Sequence, residues 1–547
     1  MDFEFTSEQQ LLQDSLRRYV DKAYSFEART ALLNAGKNGS ADNWGLFAAN
    51  GWLMAALPEA YGGLGGSLVD TVIIAQELGR ALVLEPFMAC GVLAAQTLLA
   101  AGTEEQKSRL LPQLADGTYR IALAYSEAGS RGMPLPVTLQ AERQGDGFRL
   151  TGSKSLVLGA VGAKAFIVSA QIPQTPGISL LLIDADRPGL TCQTLPLHDG
   201  TWVQELHFDG VEVGFDALLG EAGQGLSGLR QGLANGIVAL CAELIGGMEK
   251  TLEVTADYLK VRQQFGVPIG TFQALQHRMA DMAAELELAR SSLHVALASM
   301  ANDDEATRDK TLSGCKMLIC RAAKSVCGQG IQLHGGIGMT EEYLVGHYYK
   351  RAIVADLLLG SSDSHEAACA AALQAAFQAE HRACLTTQQT LENTTTMKSY
   401  ETLAELQGLV GEVVGTSDWV TIDQQRINTF AEATGDHQWI HTDPERAAQG
   451  PFGKTIAHGF LTLSLLPTFM TNAFELRNVK MGVNYGMNKV RFVQPVPVDS
   501  RLRGHFKVLS FEPLDGNGAQ VTYEMTVEIE GATKPACVAE TILRVFA

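Results

Sequence analysis

The chain has 547 residues, which at roughly 150 residues per domain predicts three or four structural units. Its 42 Lys plus Arg stand against 60 Asp plus Glu, and the resulting formal charge of −18 opposes binding to nucleic acid or to anionic membrane surfaces. Hydrophobic residues at 46% with charged residues at 19% exclude a disordered chain. The nine cysteines lack CxxC pairs and zinc spacing, which excludes a disulfide framework and favours a reducing, cytoplasmic setting. MDFEFTSEQQ has neither the basic start nor the apolar core of a signal peptide, and no run reaches roughly 18 uninterrupted apolar residues. The expectation is a soluble, intracellular, multidomain protein with no membrane span and no metal centre.

Residues 1–117 read as helices. Thr6 and Gln9 form a capping box ahead of LLQDSLRRYV, and after the turn-rich PEAYGGLGG comes a second helical run, SLVDTVIIAQELGRAL. Residues 118–228 change texture: IALAYSE, GFRLTGSKSLVL, AFIVSAQ, ISLLLIDA and QELHFDGVEV are short apolar or alternating runs broken by Gly, Pro and Asp, so this is a β domain. Residues 229–376 are helical again. Leu233, Ile237, Leu240, Leu244, Met248, Leu252, Thr255 and Leu259 mark one long helix, with two more amphipathic helices at 273–302 and 307–328. TTQQTLENTTT lies in a polar linker, 377–397. Residues 398–547 form a separate unit. Its reading is a helix opened by Thr421 and stopped by Gly435, then an apolar helix from near His458, then strands turning at DGNG. In the last strand Val521, Tyr523, Met525, Val527 and Ile529 alternate with polar residues, so a sheet wraps around a helix.

Chemistry in the first part concentrates in RQQFGVPIGTFQALQH and QLHGGIGMTEEY. Arg262 offers a bidentate donor suited to phosphate, Phe265 a ring for stacking, and the glycine pair a place where backbone N–H groups can approach an anion. Taken singly, each is as readily a solvated cation, a core aromatic or a helix stop. Together they resemble the acyl-CoA dehydrogenase family over residues 1 to about 375, with the texture of the small subunit of pimeloyl-CoA dehydrogenase-type enzymes. The resemblance implies a helical domain, a β domain and a helical bundle, with FAD as cofactor. It also implies that Arg262, Phe265 and Gln273 meet the FAD of a neighbouring subunit, and that Gln332, Gly335 and Gly336 lie along its pyrophosphate–adenosine part. A large dehydrogenase subunit and an acceptor such as electron-transfer flavoprotein are the implied partners.

Three departures stand out. Leu358-Leu359-Gly360-Ser361 occupies the Glu-Gly-Thr segment, so Leu359 replaces the base; leucine accepts no proton. The alternative family position for that glutamate falls near Gly236, and Glu243 lies about two turns along the same helix face, as a base or as a structural ion pair. AYSEAGSRGMP lacks the usual Pro-Gly-Ala-Gly-Ser-Asp, and Leu156-Val157-Leu158 stands where the family has Trp-Ile-Thr beside the flavin ring. A partner subunit, an unrecognised residue or no residue at all supplies the base.

In the second part, ATGDHQWIHTDPERA places Asp436 and His441 five residues apart after a helix stop, and HGFLTLSLL offers the Gly459 N–H at a helix start. An acid/base pair facing such a donor suits addition of water to a double bond conjugated to a thioester. With NYGMNKVRFVQPVPV these segments resemble the MaoC-like, hotdog-fold (R)-specific enoyl-CoA hydratases of NodN type, over 398–547. The family implies that Asp436 and His441 activate a water for attack on C3 and return a proton to C2, that Gly459 N–H binds the thioester oxygen, and that the α+β hotdog pairs as an oligomer. The expected whole is a β-oxidation-type fusion of dehydrogenase and hydratase acting on acyl-CoA and enoyl-CoA thioesters. The rival expectation is a hydratase whose first part is a non-catalytic scaffold.

Overall fold

The computed structural model describes residues 5–302, 304–374 and 397–546. The chain divides into two compact units, Met1–Glu380 and His381–Ala547. Most of the expected linker at 377–397 lies outside the described residues.

The first unit opens with the helix Ser7–Ala23, where Thr6 and Gln9 form the expected reciprocal cap. Leu68–Arg80 is capped in the same way by Ser67 and Asp70. Residues Ile121 to Leu219 build two four-stranded sheets. One runs Ile121–Ala124, Ala165–Ala170, Ser179–Asp184, Leu218–Leu219; the other runs Gln140–Gln144, Gly147–Leu158, Trp202–Gly214, Leu190–Pro196. Their own core includes Phe148, Leu150, Phe166, Val168, Leu181 and Phe208. The long helix Gly225–Val261 starts four residues before the expected boundary at 229. It is apolar enough to cross a bilayer on composition, yet 89% of its most apolar window is packed inside the protein, so it is a core helix. Gly246 makes that packing possible: a Cβ there would fall 1.9 Å from the Gln76 carbonyl oxygen. The helices Gln273–Ser299 and Glu305–His334 complete the bundle, the latter running six residues beyond the expected end at 328.

The second unit is an antiparallel sheet in the order Val413–Thr416, Ser500–Leu514, Gly518–Ile529, Cys537–Phe546, Met481–Phe492, with Val420–Ile422 pairing onto Ser500–Leu502. It holds a core that includes Phe469, Phe506, Tyr523 and Met525. The turn at DGNG is where expected, between Leu514 and Gly518. Two helix boundaries differ from expectation. Thr421 lies in a strand opposite Arg501, and the helix runs Gln424–Thr434 because Asp423, not Thr421, accepts the Arg426 N–H as its cap. The apolar helix is two pieces, Gly459–Ser464 and Leu466–Ala473, because Pro467 starts a new helix and cannot donate within a continuing one. The strand Met481–Phe492 is exposed along nearly its whole length and forms one sheet edge.

Candidate active sites

In the second unit the helix Gln424–Thr434 ends at Gly435 with φ 74°, a left-handed stop that a side chain would strain. The chain then turns through Asp436, whose side chain is 59% exposed, into a short helix carrying His441. His441 is buried, and so is His458, the residue before Gly459. The two imidazoles stack with centroids 3.7 Å apart and planes 27° from parallel. One polar atom from each of Asp436, His441 and His458 lies within 4.8 Å of the others.

Carbonyl oxygens fix both ring tautomers, because a carbonyl can only accept. His441 Nδ1 lies 2.6 Å from the Ile456 oxygen, so it carries the proton and leaves Nε2 as a free lone pair. His458 Nε2 lies 2.9 Å from the Asp436 carbonyl oxygen, so this nitrogen is a donor and not a metal ligand. It is also 4.0 Å from the Asp436 carboxylate. Burial pushes the His441 pKa below the ordinary histidine value; the Ile456 hydrogen bond opposes this, His458 adds to it and Asp436 opposes it. His441 is therefore a neutral base at pH 7. Its backbone is held by Gln424, whose Nε2 donates to the His441 carbonyl at 2.7 Å. Gly459 leaves little room for a side chain, since a Cβ would lie 3.0 Å from the Phe492 ring. Of the residues the sequence singled out, Asp436 and His441 come together with His458, and Gly459 follows His458 as the first residue of its helix. His458 was read only as a helix start; its pairing with His441 is tertiary.

In the first unit, Arg262 ends the long helix and leads into a tight hairpin of Gln263–Gln264 and Val267–Pro268. Phe265 stands at its tip, 92% exposed and with φ 54°. Gln273 is the exposed first residue of the next helix. Gln332 is exposed near the end of Glu305–His334, and Gly335 and Gly336 form an exposed turn beyond it. These six residues therefore lie mostly on outward-facing arms.

The opposite end, where a flavin ring and base would be expected, is closed. Leu359 is buried at φ 56°, and its Cδ1 lies 3.4 Å from where a Cβ on Gly236 would stand, with Leu93 beside it. The two alternative base positions thus meet, and only aliphatic carbon fills them. His365 Nε2 donates to the Leu359 carbonyl at 2.9 Å, and Lys316 Nζ donates to the Gly360 carbonyl at 2.6 Å. The Arg131–Met133 segment presses on this turn: a Cβ at Gly132 would lie 2.7 Å from Gly360 N, and one at Gly360 would lie 2.6 Å from Met133 Sδ. The nearby cavity lined by Met88, Leu158, Glu243, Arg351 and Leu358 measures about 80 Å³, against roughly 300 Å³ or more for an ordinary small-molecule site. Glu243 is the structural ion pair: its carboxylate receives Arg351 at 2.6 and 3.1 Å, and the same guanidinium holds Asp199 at 2.9 Å. Among the described residues, neither of the two base positions carries a carboxylate.

Models of the acyl-CoA dehydrogenase N-terminal and C-terminal domains match residues 6–118 and 223–374, and a MaoC like domain matches 405–529. The chain is 56% identical over 151 residues to 3-hydroxyacyl-thioester dehydratase Z of Mycobacterium tuberculosis, which covers 28% of this chain and all of that protein. A solved steroid ACAD variant is 30% identical, with a TM-score of 0.62 over 68% of this chain and 99% of its own. The ChsE4-ChsE5 complex from Mycobacterium tuberculosis is 25% identical, with the same TM-score, over 68% of this chain and 99% of the matched one. The chain belongs to the acyl-CoA dehydrogenase family in its first unit and to the MaoC-like hydratase family in its second, a dehydrogenase fused to a hydratase.

Proposed function

We propose that the second unit adds water across a trans-2-enoyl-CoA to give the (R)-3-hydroxyacyl-CoA. The observation that carries this is the fixed tautomer of His441: Nδ1–H is given to Ile456, Nε2 keeps its lone pair, and one nitrogen of the ring lies within 4.8 Å of an Asp436 carboxylate oxygen. His441 Nε2 takes a proton from the water while Asp436 accepts its other hydrogen, and the oxygen attacks C3. The Gly459 N–H polarises the thioester carbonyl as negative charge develops there, and the protonated base returns its proton to C2. The same steps run backwards as dehydration, the direction in which the 56% identical relative is named. Hydration of crotonyl-CoA by the purified chain, lost in Asp436→Asn and in His441→Ala, tests the assignment; normal turnover in both variants would refute it.

For the first unit we infer a dehydrogenase half that works with a partner subunit. FAD, when bound at such an assembly, accepts hydride from the acyl-CoA. Among the described residues the two base positions, Gly236 and Leu359, carry no carboxylate, so no dehydrogenation step is assigned to this chain alone. Arg262, Phe265 and Gln273 on their exposed arm suit the role of reaching a cofactor held by a large dehydrogenase subunit, with an acceptor such as electron-transfer flavoprotein downstream. The resulting enoyl-CoA is the substrate of the second unit, in the manner of β-oxidation. The scaffold reading is favoured by one observation, the closed turn at Leu359–Gly360. A visible spectrum separates the two: flavin retained on mixing with a dehydrogenase large subunit and bleached by saturated acyl-CoA supports the partnership, and failure of any such partner to gain activity supports the scaffold. The exposed edge strand Met481–Phe492, with Met481, Val483 and Tyr485 outward, suits pairing of two hotdog units.

A further inference from the structure

We propose that His458 is a positioning residue for hydration: its ring fixes the plane of the His441 imidazole, and its Nε2–H pins the backbone at Asp436, so both reacting groups share one support. The inference rests on the hydratase reading above and adds a residue to it.

Three observations converge. His458 is 4% exposed and stacks on His441 at 3.7 Å, too close for the ring of His441 to tilt. Its Nε2–H reaches the Asp436 carbonyl at 2.9 Å, across 22 residues of chain, and so fixes the exposed turn that carries the carboxylate. Its Nδ1 is buried and has no hydrogen-bond partner among the described residues.

The titratable groups facing His441 are His458 and Asp436; the helix Gln424–Thr434 contributes the Gln424 amide, and Phe430 packs its ring 5.2 Å from His458. An imidazole stacked this close opposes the charging of His441. His441 Nε2 is the working atom, and His458 holds the ring that carries it. The sequence holds the signal in His458-Gly459: the glycine brings its N–H to the site, and the residue before it is carried there with it.

The test uses the full-length chain and crotonyl-CoA, with His458→Phe and His458→Gln. Phe keeps a flat ring and loses the donor; Gln keeps a donor of similar reach and loses the ring. The expected results are a kcat about 10–100-fold lower in His458→Phe with KM little changed, partial recovery in His458→Gln, and movement of the acid limb of kcat/KM to higher pH in both. Wild-type kcat together with an unmoved acid limb in both variants would overturn the proposal. If neither variant folds, the wild-type profile decides: the proposal requires an acid limb below the ordinary histidine value of about 6.5, and a limb at or above it overturns it. Absence of hydration by the wild-type chain would overturn the functional reading itself, and this proposal with it.

Discussion

Gly459→Ala gives the most direct measure of the Gly459 N–H. The new methyl carbon would stand 3.0 Å from two carbons of the Phe492 ring and 3.2 Å from a third. Carbon pairs settle at about 3.5–4.0 Å, so ring or backbone must retreat by roughly 0.5–1 Å. Phe492 is 44% exposed and can take part of that movement, which puts the stability cost near the low end of the usual overpacking range, about 1 kcal/mol. For a unit of this size that is a fall in Tm of about 2–4 °C. Catalysis should suffer more. Whatever movement the backbone takes re-aims the N–H, and losing one oxyanion donor altogether costs about 10²–10³ in kcat. The expected fall in kcat is therefore about 10–100-fold, read as slower loss of the enoyl-thioester absorbance. Gly459→Ala combined with Phe492→Ala should restore roughly tenfold, a coupling of about 1.4 kcal/mol, because the second change vacates the space the methyl needs. Unaltered kcat in a folded Gly459→Ala chain would refute the donor role. Loss of activity without rescue would refute the steric account of it.

Further outcomes follow from the same contacts. Asp436→Asn and His441→Ala should each lower crotonyl-CoA hydration by about 10²–10⁴-fold with little change in Tm, as measured by initial rates and thermal melts. Leu359→Glu should not give the isolated chain dehydrogenase activity, because Met133 and Gly132 still close on Gly360; flavin bleaching by acyl-CoA in that variant alone would contradict the closed cleft. Glu243→Gln strips a carboxylate from half-buried Arg351 and should destabilise the first unit by about 3 kcal/mol, read from urea midpoints, while crotonyl-CoA hydration persists in the folded chain. Burial, aided by Lys316, holds the His365 pKa down to about 4. As pH falls below about 6.5 the unfolded chain takes that proton before the folded one does. The first unit should thus lose up to about 3 kcal/mol between pH 6.5 and 4, and His365→Gln should flatten the decline. A urea midpoint with the same pH dependence in that variant would contradict the assignment.

Local periodicity made much of the fold legible. Gly147–Leu158 forms a strand over the very run read as one, and Gly435 stops its helix because no other residue rests so easily at φ 74°. Thr421 and Asp423 are both good caps, and only pairing with Arg501 in the sheet decides between them. Pro467 was legible as a break but was read through, since the flanking Leu465, Leu466 and Phe469 keep the apolar pattern of one helix. Site residues divide the same way. Asp436 and His441 are five residues apart and are brought together by one turn, so the sequence could propose them. The Glu243 partner Arg351 lies 108 residues away, and nothing local distinguishes a base from an ion pair there.

The first unit keeps and loses its family features in a pattern with a physical direction. What it loses is buried: Leu359 and Gly236 meet as hydrocarbon, and Met133 fills the space above Gly360. An empty cleft would leave apolar walls without contacts, so once the base and the flavin-contacting segment are gone, collapse onto itself is the stable state. What it keeps is exposed and costly to the chain alone. Phe265 holds a left-handed backbone that costs a non-glycine residue about 1–2 kcal/mol, and it leaves 92% of a large aromatic side chain in water. A hairpin serving only its own unit would relax both penalties with a glycine or a polar residue at the tip. A hairpin that inserts an aromatic ring into another subunit needs both features, which is why the arm, more than the cleft, supports the reading of a partner-dependent dehydrogenase half.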